Sequence, residues 1–178
     1  VQIGEQCWFS ENCRYLPSVT ANEDSYDVPM YYVYDYEGTD VTAAQATSNY
    51  ETYGVLYNWP AVMTEGICPS GWHIPLDGEF TQLNDFLGGE NIAGEQMKSN
   101  SGWSNNGNGS NSSGFDGRPG GYAYSGGFLY DGSVGYWWSS SASGNSSAWR
   151  RGLYNGSGSG SRYNASIYKG FSARCVRD

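Results

Sequence analysis

Charge is the first thing this sequence is short of: only 15% of its 178 residues are Asp, Glu, Lys or Arg. Basic residues are the scarcer kind, nine against 18 acids, giving a formal net charge of −9 and a pI near 4.4. Nucleic-acid binding requires a basic face, so no nucleic-acid partner is expected. No apolar run approaches the roughly 18 residues that read as a membrane span, so no membrane insertion by this domain is expected. Histidine occurs once, at His73, and there is no CxxC pair, which argues against a zinc site, so no metal ligand set is assigned, while the acidic loops leave oxygen ligation of calcium open. A GxSxG elbow, a phosphate loop and a dinucleotide fingerprint are all missing, so no cofactor is expected.

What the chain does contain is 26 Gly, 16 Tyr and 7 Trp, with aromatics at 16%. Disordered chains are poor in aromatics, whereas these are spread along most of the sequence and can supply a core. Helix formers are scarce beside Gly, Ser, Asn and Tyr, which predicts short strands joined by long loops. A single α+β domain over residues 1–178 is expected, large enough to bury about 70% of the surface of its unfolded chain.

The charge is unevenly placed. Seventeen of the 18 acids lie at or before Asp131, and six of the nine basic residues fall in the last thirty positions: Arg150, Arg151, Arg162, Lys169, Arg174 and Arg177. The plain expectation is that Arg151, Arg162 and Arg174 pair internally with the acidic part and hold the C-terminus in place.

Cys7, Cys13, Cys68 and Cys175 form an even set, read as two disulfides in an extracytoplasmic protein. Four cysteines allow three pairings. The short spacing of Cys7 and Cys13 suits a local loop, leaving Cys68 and Cys175 as a long-range staple. The chain opens on Val1 without a signal peptide, as a processed chain would, so location is inferred from the cysteines alone.

Along the chain, residues 1–20 read as a short strand followed by irregular structure, and residues 29–36 as an aromatic strand. Val55, Leu56, Trp59, Val62 and Met63 recur at helical spacing, with Pro60 predicting a short or kinked helix over residues 50–63. Phe80, Leu83, Phe86 and Leu87 form the stripe of an amphipathic helix stopped by Gly88-Gly89, with Asp77 as its expected cap. Residues 99–114 read as a polar loop anchored by Trp103. Strand-like pieces follow in GGYAYSGGFLYDG, GYWWSSS and AWRRGLY, and GFSARCVRD reads as a closing strand.

Little here resembles catalytic machinery. His73 lies in the tight turn CPSGWHIP and is expected to be structural, bonding backbone there. A glycan-acting enzyme built on paired carboxylates would have to draw on acids such as Asp77, Glu79, Asp116 or Asp131, and nothing singles out two of them. The segment from Ser141 to Tyr168 is more informative. Ser, Gly, Asn and Ala dominate it, interrupted by Trp149, Arg150, Arg151, Leu153, Tyr154, Arg162 and Tyr163. Alternation places Trp149, Arg151 and Leu153 on one face of a strand, and Arg150, Gly152 and Tyr154 on the other. Tyr, Ser, Gly and Asn with an occasional Arg is the vocabulary of a binding paratope.

IGEQCWFSEN, YGVLYNWPAVM, CPSGWHIP, FTQLNDFLGG, GYWWSSS, AWRRGLY and GFSARCVRD resemble the Fibrobacter succinogenes major paralogous domain family along nearly the whole chain. That family is similar to formylglycine-generating enzymes, whose fold is a variant of the C-type lectin fold. The resemblance implies an α+β, C-type lectin-like domain with long loops, found in secreted or surface-displayed bacterial or phage proteins. It places Cys175 at a disulfide-forming position. The reactive cysteine pair of the enzymes is missing from the matching stretch, Trp149 to Tyr163, so their oxidase chemistry is not implied. The EPN, QPD and WND motifs of sugar-binding C-type lectins are also missing, so calcium-dependent sugar recognition is not expected.

The tract 139–168 also resembles the C-terminal variable tract of proteins diversified by retroelements. Adenine-directed mutagenesis of Asn codons yields Asn, Ser, Gly, Asp, Ala, Tyr, Arg or Ile, and the tract contains no Lys, Glu, Gln or Met. It departs from the usual family pattern at Ala142 to Asn145, Arg150, Gly152, Tyr154 to Gly156 and Gly158 to Ser161, positions expected to face largely outward. These readings predict a non-enzymatic ligand-binding domain. Trp59, Trp72, Phe80, Trp137, Trp138, Trp149, Leu153 and Phe171 would form its core. Arg150, Tyr154, Asn155, Tyr163, Asn164 and Tyr168 would read a protein or glycan ligand on another cell or surface, with Asn145 at the rim. The competing expectations are the carboxylate enzyme and a purely structural module of a larger surface protein.

Overall fold

A computed structural model describes residues 1–20, 23–124 and 127–178. Ser125 and Gly126, within the predicted GGYAYSGGFLYDG strands, lie outside the described residues. The chain begins with a hairpin of β1 (Gln2–Ile3) and β2 (Gln6–Cys7), then reaches β3 (Tyr31–Tyr32). Short helices α1 (Val41–Gln45) and α2 (Ser48–Tyr53) precede β4 (Leu56–Tyr57), the single turn α3 (Trp59–Val62) and β5 (Trp72–His73). Two longer helices, α4 (Asp77–Phe86) and α5 (Glu90–Met97), lead into the polar loop. The second half is strand: β6 (Gly120–Tyr124), β7 (Gly127–Asp131), β8 (Val134–Gly144), β9 (Ser147–Tyr154), β10 (Ser161–Ser166), β11 (Phe171–Ser172) and β12 (Val176–Arg177). The result is a mixed α+β fold around one curled sheet ordered β10-β9-β8-β11-β4-β3, with β6 and β7 attached to β8.

Trp137 and Trp138 explain why β8 sits at the centre. Successive strand residues point to opposite faces, and a run apolar on both faces marks a strand covered on both sides. Trp138 packs with Tyr57, Phe171 and Val62, whereas Trp137 packs with Phe80, Phe115, Trp8 and Leu153. Each indole N–H is satisfied, Trp137 donating to Asn12 Oδ1 at 2.8 Å and Trp138 to the Tyr57 carbonyl at 2.9 Å. Burial of side chains this large contributes about 2–3 kcal/mol each. Phe80, Leu153 and Phe171 are buried as expected, while Trp59, Trp72 and Trp149 are half-buried.

Several expectations are corrected. Residues 50–63 do not form one helix. Gly54, at φ 73°, ends α2, and the backbone of Val55 pairs with Cys13 before β4 begins. Helical spacing there reflects burial from two separate elements, and Met63 is exposed. Phe86 is also exposed, lying over Gly4 rather than in the core. Asp77 does not cap α4. Glu79 accepts the Leu76 N–H at 2.7 Å instead, leaving Asp77 free to bind arginines. The closing segment is split: β11 joins the main sheet, and β12 pairs with β5.

The cysteines divide in the same way. Cys68 and Cys175 form the long-range disulfide, with Cα atoms 5.9 Å apart across a separation of 107 residues. Closing a loop of this length stabilises by about 4–5 kcal/mol in the chain-entropy account. Cys7 and Cys13 are not bonded. The segment between them runs along the link between β11 and β12, Phe9 N–H bonding Cys175 O and Cys13 N–H bonding Ala173 O, instead of closing a loop on itself. Cys13 Sγ therefore lies 3.5 Å from Cys175 Sγ, and burial pushes its thiol up to about 12.

Candidate functional site

The site grows from β9 and its two neighbours. β8 and β9 are joined by a two-residue turn that leaves Asn145 exposed at the tip, and β10 is the outer strand. Register sets Arg150 opposite Trp138 on one side and Tyr163 on the other, while Arg151 lies opposite Trp137 and Arg162. Cross-strand partners share a face. Two adjacent arginines are thereby sent to opposite sides of the sheet, as the alternation predicts.

The Arg151 side is closed. Arg151 is 1% exposed and donates to the Asp77 carboxylate, the Asp77 carbonyl and Thr81 Oγ1. Arg162 binds the other Asp77 oxygen at 2.8 Å and lies 3.4 Å from the centroid of the Trp149 ring. Burial pushes the Asp77 carboxyl up, but hydrogen bonds and charges from Arg162 and Arg151 outweigh it and hold the group below its ordinary value. Arg174 behaves differently from the expected ion pair. It is fully buried, stacked 4.0 Å from the Phe115 centroid, and donates to Asn12 Oδ1 and the Phe115 carbonyl rather than to a carboxylate.

The Arg150 side is open. Its guanidinium lies 3.8 Å from the Tyr136 centroid, 5.5 Å from Tyr163 and 5.6 Å from Phe171. Gly152 makes this stack fit, since a Cβ there would sit 2.7 Å from Arg150 Nη1. Among the described residues Arg150 has no ion pair, and its buried Nε and Nη1 have no hydrogen-bond partner. It borders a cavity of about 390 Å³ shared with Tyr122, Tyr136, Asn164, Lys169 and Phe171. Lys169 Nζ lies 5.4 Å from the Tyr122 centroid and likewise has no acidic partner there. Burial, then the neighbouring Tyr154 hydroxyl, raises the Tyr136 phenol; burial, then Tyr130 and Tyr124, raises Tyr122. Both phenols are therefore protonated at neutral pH and able to donate.

Of the expected readers, Arg150 and Asn164 border the cavity, and Tyr163, 54% exposed, flanks Arg150. Tyr154 packs edge-on behind them against Tyr136, at 5.8 Å between centroids. Tyr168 lies edge-on to Tyr26 in the turn after β10. Asn155 is separate. Its N–H bonds Ser133 O, and Gly107 packs directly on its backbone. The following stretch is also docked: Lys98, 2% exposed, donates to the carbonyls of Tyr154 and Ser157, and Gly94 of α5 packs against Ser159 O. Gly152 and Gly160 are buried, so the outward placement expected for the departing positions fails there. Tyr122, Tyr136, Lys169 and Phe171 are the residues sequence reasoning missed. They arrive from β6, β8, the turn after β10, and β11, and only the C-terminal excess of cations hinted at one of them.

The acids considered for catalysis are each engaged separately. Asp77 binds Arg151 and Arg162, Asp116 binds Arg118 at 2.8 Å, and Asp131 accepts from Tyr34 at 2.9 Å. His73 does not bond backbone through its ring. Nδ1 meets Asp178 at 2.6 Å and Nε2 meets Glu79 at 3.0 Å, tying α4 to the C-terminus. The sulfurs of Cys13, Cys68 and Cys175 lie within 4.8 Å of one another, two of them being joined in the disulfide. No helix among the described residues is long and apolar enough to cross a membrane.

These features define a disulfide-stapled α+β domain with a curled sheet, one sheet face locked by ion pairs and the other carrying a cationic, tyrosine-walled cavity. The chain belongs to the Fibrobacter succinogenes major domain family, whose model it matches over residues 1–177. No curated protein and no solved structure matches it.

Proposed function

We propose that this chain is a non-enzymatic ligand-binding domain of C-type lectin-like, formylglycine-generating-enzyme type, displayed outside the cytoplasm, with the β9–β10 hairpin as its binding face. The observation that carries this reading is Arg150: a charged side chain stacked among aromatic rings, at a solvent-reaching cavity, with no counter-ion among the described residues. An unneutralised guanidinium at a cavity attracts anions, and a ligand carrying negative charge supplies the missing counter-charge. The long-range disulfide supports an extracytoplasmic location. The mixed fold, with long loops between short elements, supports the lectin-like assignment.

The test is an immobilised glycan array and a bacterial-surface binding assay, comparing the full chain with Tyr163→Ala. The ring is more than half exposed, so the variant is expected to lose at least tenfold in binding at an unchanged unfolding temperature. Equal binding by the two proteins would remove this face from the site. Genetic diversification of residues 139–168 is a separate part of the proposal. A near copy of the segment encoding residues 137–178, differing only where it carries adenines and lying beside a reverse transcriptase gene, would establish it. Its absence from the surrounding DNA would leave a fixed binding face.

A further inference from the structure

We propose that the Arg150 cavity seats an acidic sugar, of the uronic- or sialic-acid class, with its carboxylate on Arg150 and Lys169. This deepens the binding-face reading above and rests on it. Sign comes first. On a chain of net charge −9, two cations border one cavity, and no carboxylate among the described residues lines it. Every other arginine before Arg174 is in an ion pair among the described residues: Arg14 with Glu11, Arg118 with Asp116, and Arg151 and Arg162 with Asp77. Arg150 is the exception, and it lies at this opening.

Geometry then narrows the anion. A guanidinium spreads its positive charge over a plane, and the Tyr136 stack holds that plane at the cavity, where a carboxylate can meet its charge. Lys169, over Tyr122, adds a second, flexible positive charge from the far wall.

Size and lining narrow the carrier. The cavity, about 390 Å³, falls within the ~300–1,000 Å³ range of small-molecule sites, more than one Asp or Glu side chain occupies. Its walls alternate two chemistries. Tyr122 offers a part-exposed ring for the C–H edge of a pyranose, while Ser147, Ser166 and Asn164 offer hydroxyl and amide groups for its hydroxyls. A carboxylated monosaccharide uses both at once. An inorganic anion would use only the cations, and a neutral sugar would leave them unpaired.

The experiment follows the Arg150 side-chain Nε–H resonance of the full, ¹⁵N-labelled chain by NMR. D-glucuronate and N-acetylneuraminate are titrated against D-glucose, acetate and N-acetylglutamate amide as controls. The expected result is a saturable shift with at least one acidic sugar; affinities read in parallel from the backbone amides of β9 and β10 should be at least tenfold weaker in Arg150→Gln and a few-fold weaker in Lys169→Gln, with both variants unfolding within a few degrees of the wild type. Raising the salt should weaken the binding.

Absence of a shift with either acidic sugar, or equal affinity for glucose, overturns the proposal. Equal affinity for acetate or the glutamate amide also overturns it, since the site would then read a bare carboxylate. If acidic sugars fail while Tyr163-dependent binding to another array component persists, the ligand class falls and the binding face stands. If both fail, the face falls as well.

Discussion

Arg150 and Arg151 are neighbours in one strand, and they have opposite fates. Arg151 faces α4, is sealed from solvent and donates to a carboxylate, a carbonyl and a hydroxyl. Arg150 faces away, stacks on Tyr136 and meets no acid among the described residues. The period of a strand is enough to make this difference, because one residue of shift changes which side of the sheet a side chain serves. What the comparison teaches is that a cation's role follows from its counter-ions. The locked arginine holds the hairpin to the body of the domain, and the unpaired one is free to engage something else.

The largest effect should come from breaking the locked side. Removing one partner of a buried ion pair typically destabilises by about 3–5 kcal/mol. Arg151→Ala is therefore expected to lower stability by about 3 kcal/mol in denaturant unfolding, near the low end because Arg162 still binds Asp77. Arg150→Ala should lower it by about 1 kcal/mol or less, the range of a partly exposed cation–ring contact. Equal losses from the two substitutions would erase the distinction between the faces.

Acid should reproduce the same contrast without mutation. The folded-state value of Asp77 is depressed, despite its burial, by Arg162 and Arg151. Its contribution is thus present above the unfolded value near 3.8 and is lost as pH falls through the lower folded value. Stability measured across that acidic window should decline less steeply in Asp77→Asn than in the wild type. Arg150→Ala should follow the wild-type curve, and a changed slope there would show that the two faces communicate.

How much of this was legible beforehand depended on range. The two faces of β9 could be read from AWRRGLY, because alternation is local. The α4 stripe was readable for Phe80, Leu83 and Leu87 for the same reason, and Phe86 marks where it overreached. The helix α5 was not readable. Gly94 in its middle lowers helix propensity, and its purpose is the close approach of Ser159 O, 65 positions downstream, which no local pattern contains. The cavity escaped for a related reason: Tyr122, Tyr136, Lys169 and Phe171 come from separate segments and meet only after the sheet curls. Cys7 and Cys13 misled because short spacing is informative only if the intervening chain turns back, and here Phe9 and Cys13 are bonded to the link between β11 and β12.

The smallest expected effect concerns His73, the counterpart of Asp77 with the charges reversed. Burial lowers its value, but hydrogen bonds and charge from Asp178 and Glu79 outweigh it, and the imidazole ends above 6.5. A raised folded-state value contributes stability that is fully present below the unfolded value and is lost as pH rises through the folded one. Binding between α4 and the C-terminus through His73 should therefore weaken as pH rises past 6.5 and through the higher folded-state value. The side chains of His73 and Asp178 are 36% and 62% exposed, so solvent screens the pair and the effect should be slight. It is best sought locally. Hydrogen exchange at Val176 and Arg177, which pair with His73 and Trp72, should quicken between pH 6 and 8 beyond the intrinsic pH dependence of exchange. His73→Gln should remove that excess, while amides of β9 beside Arg151 stay unaffected.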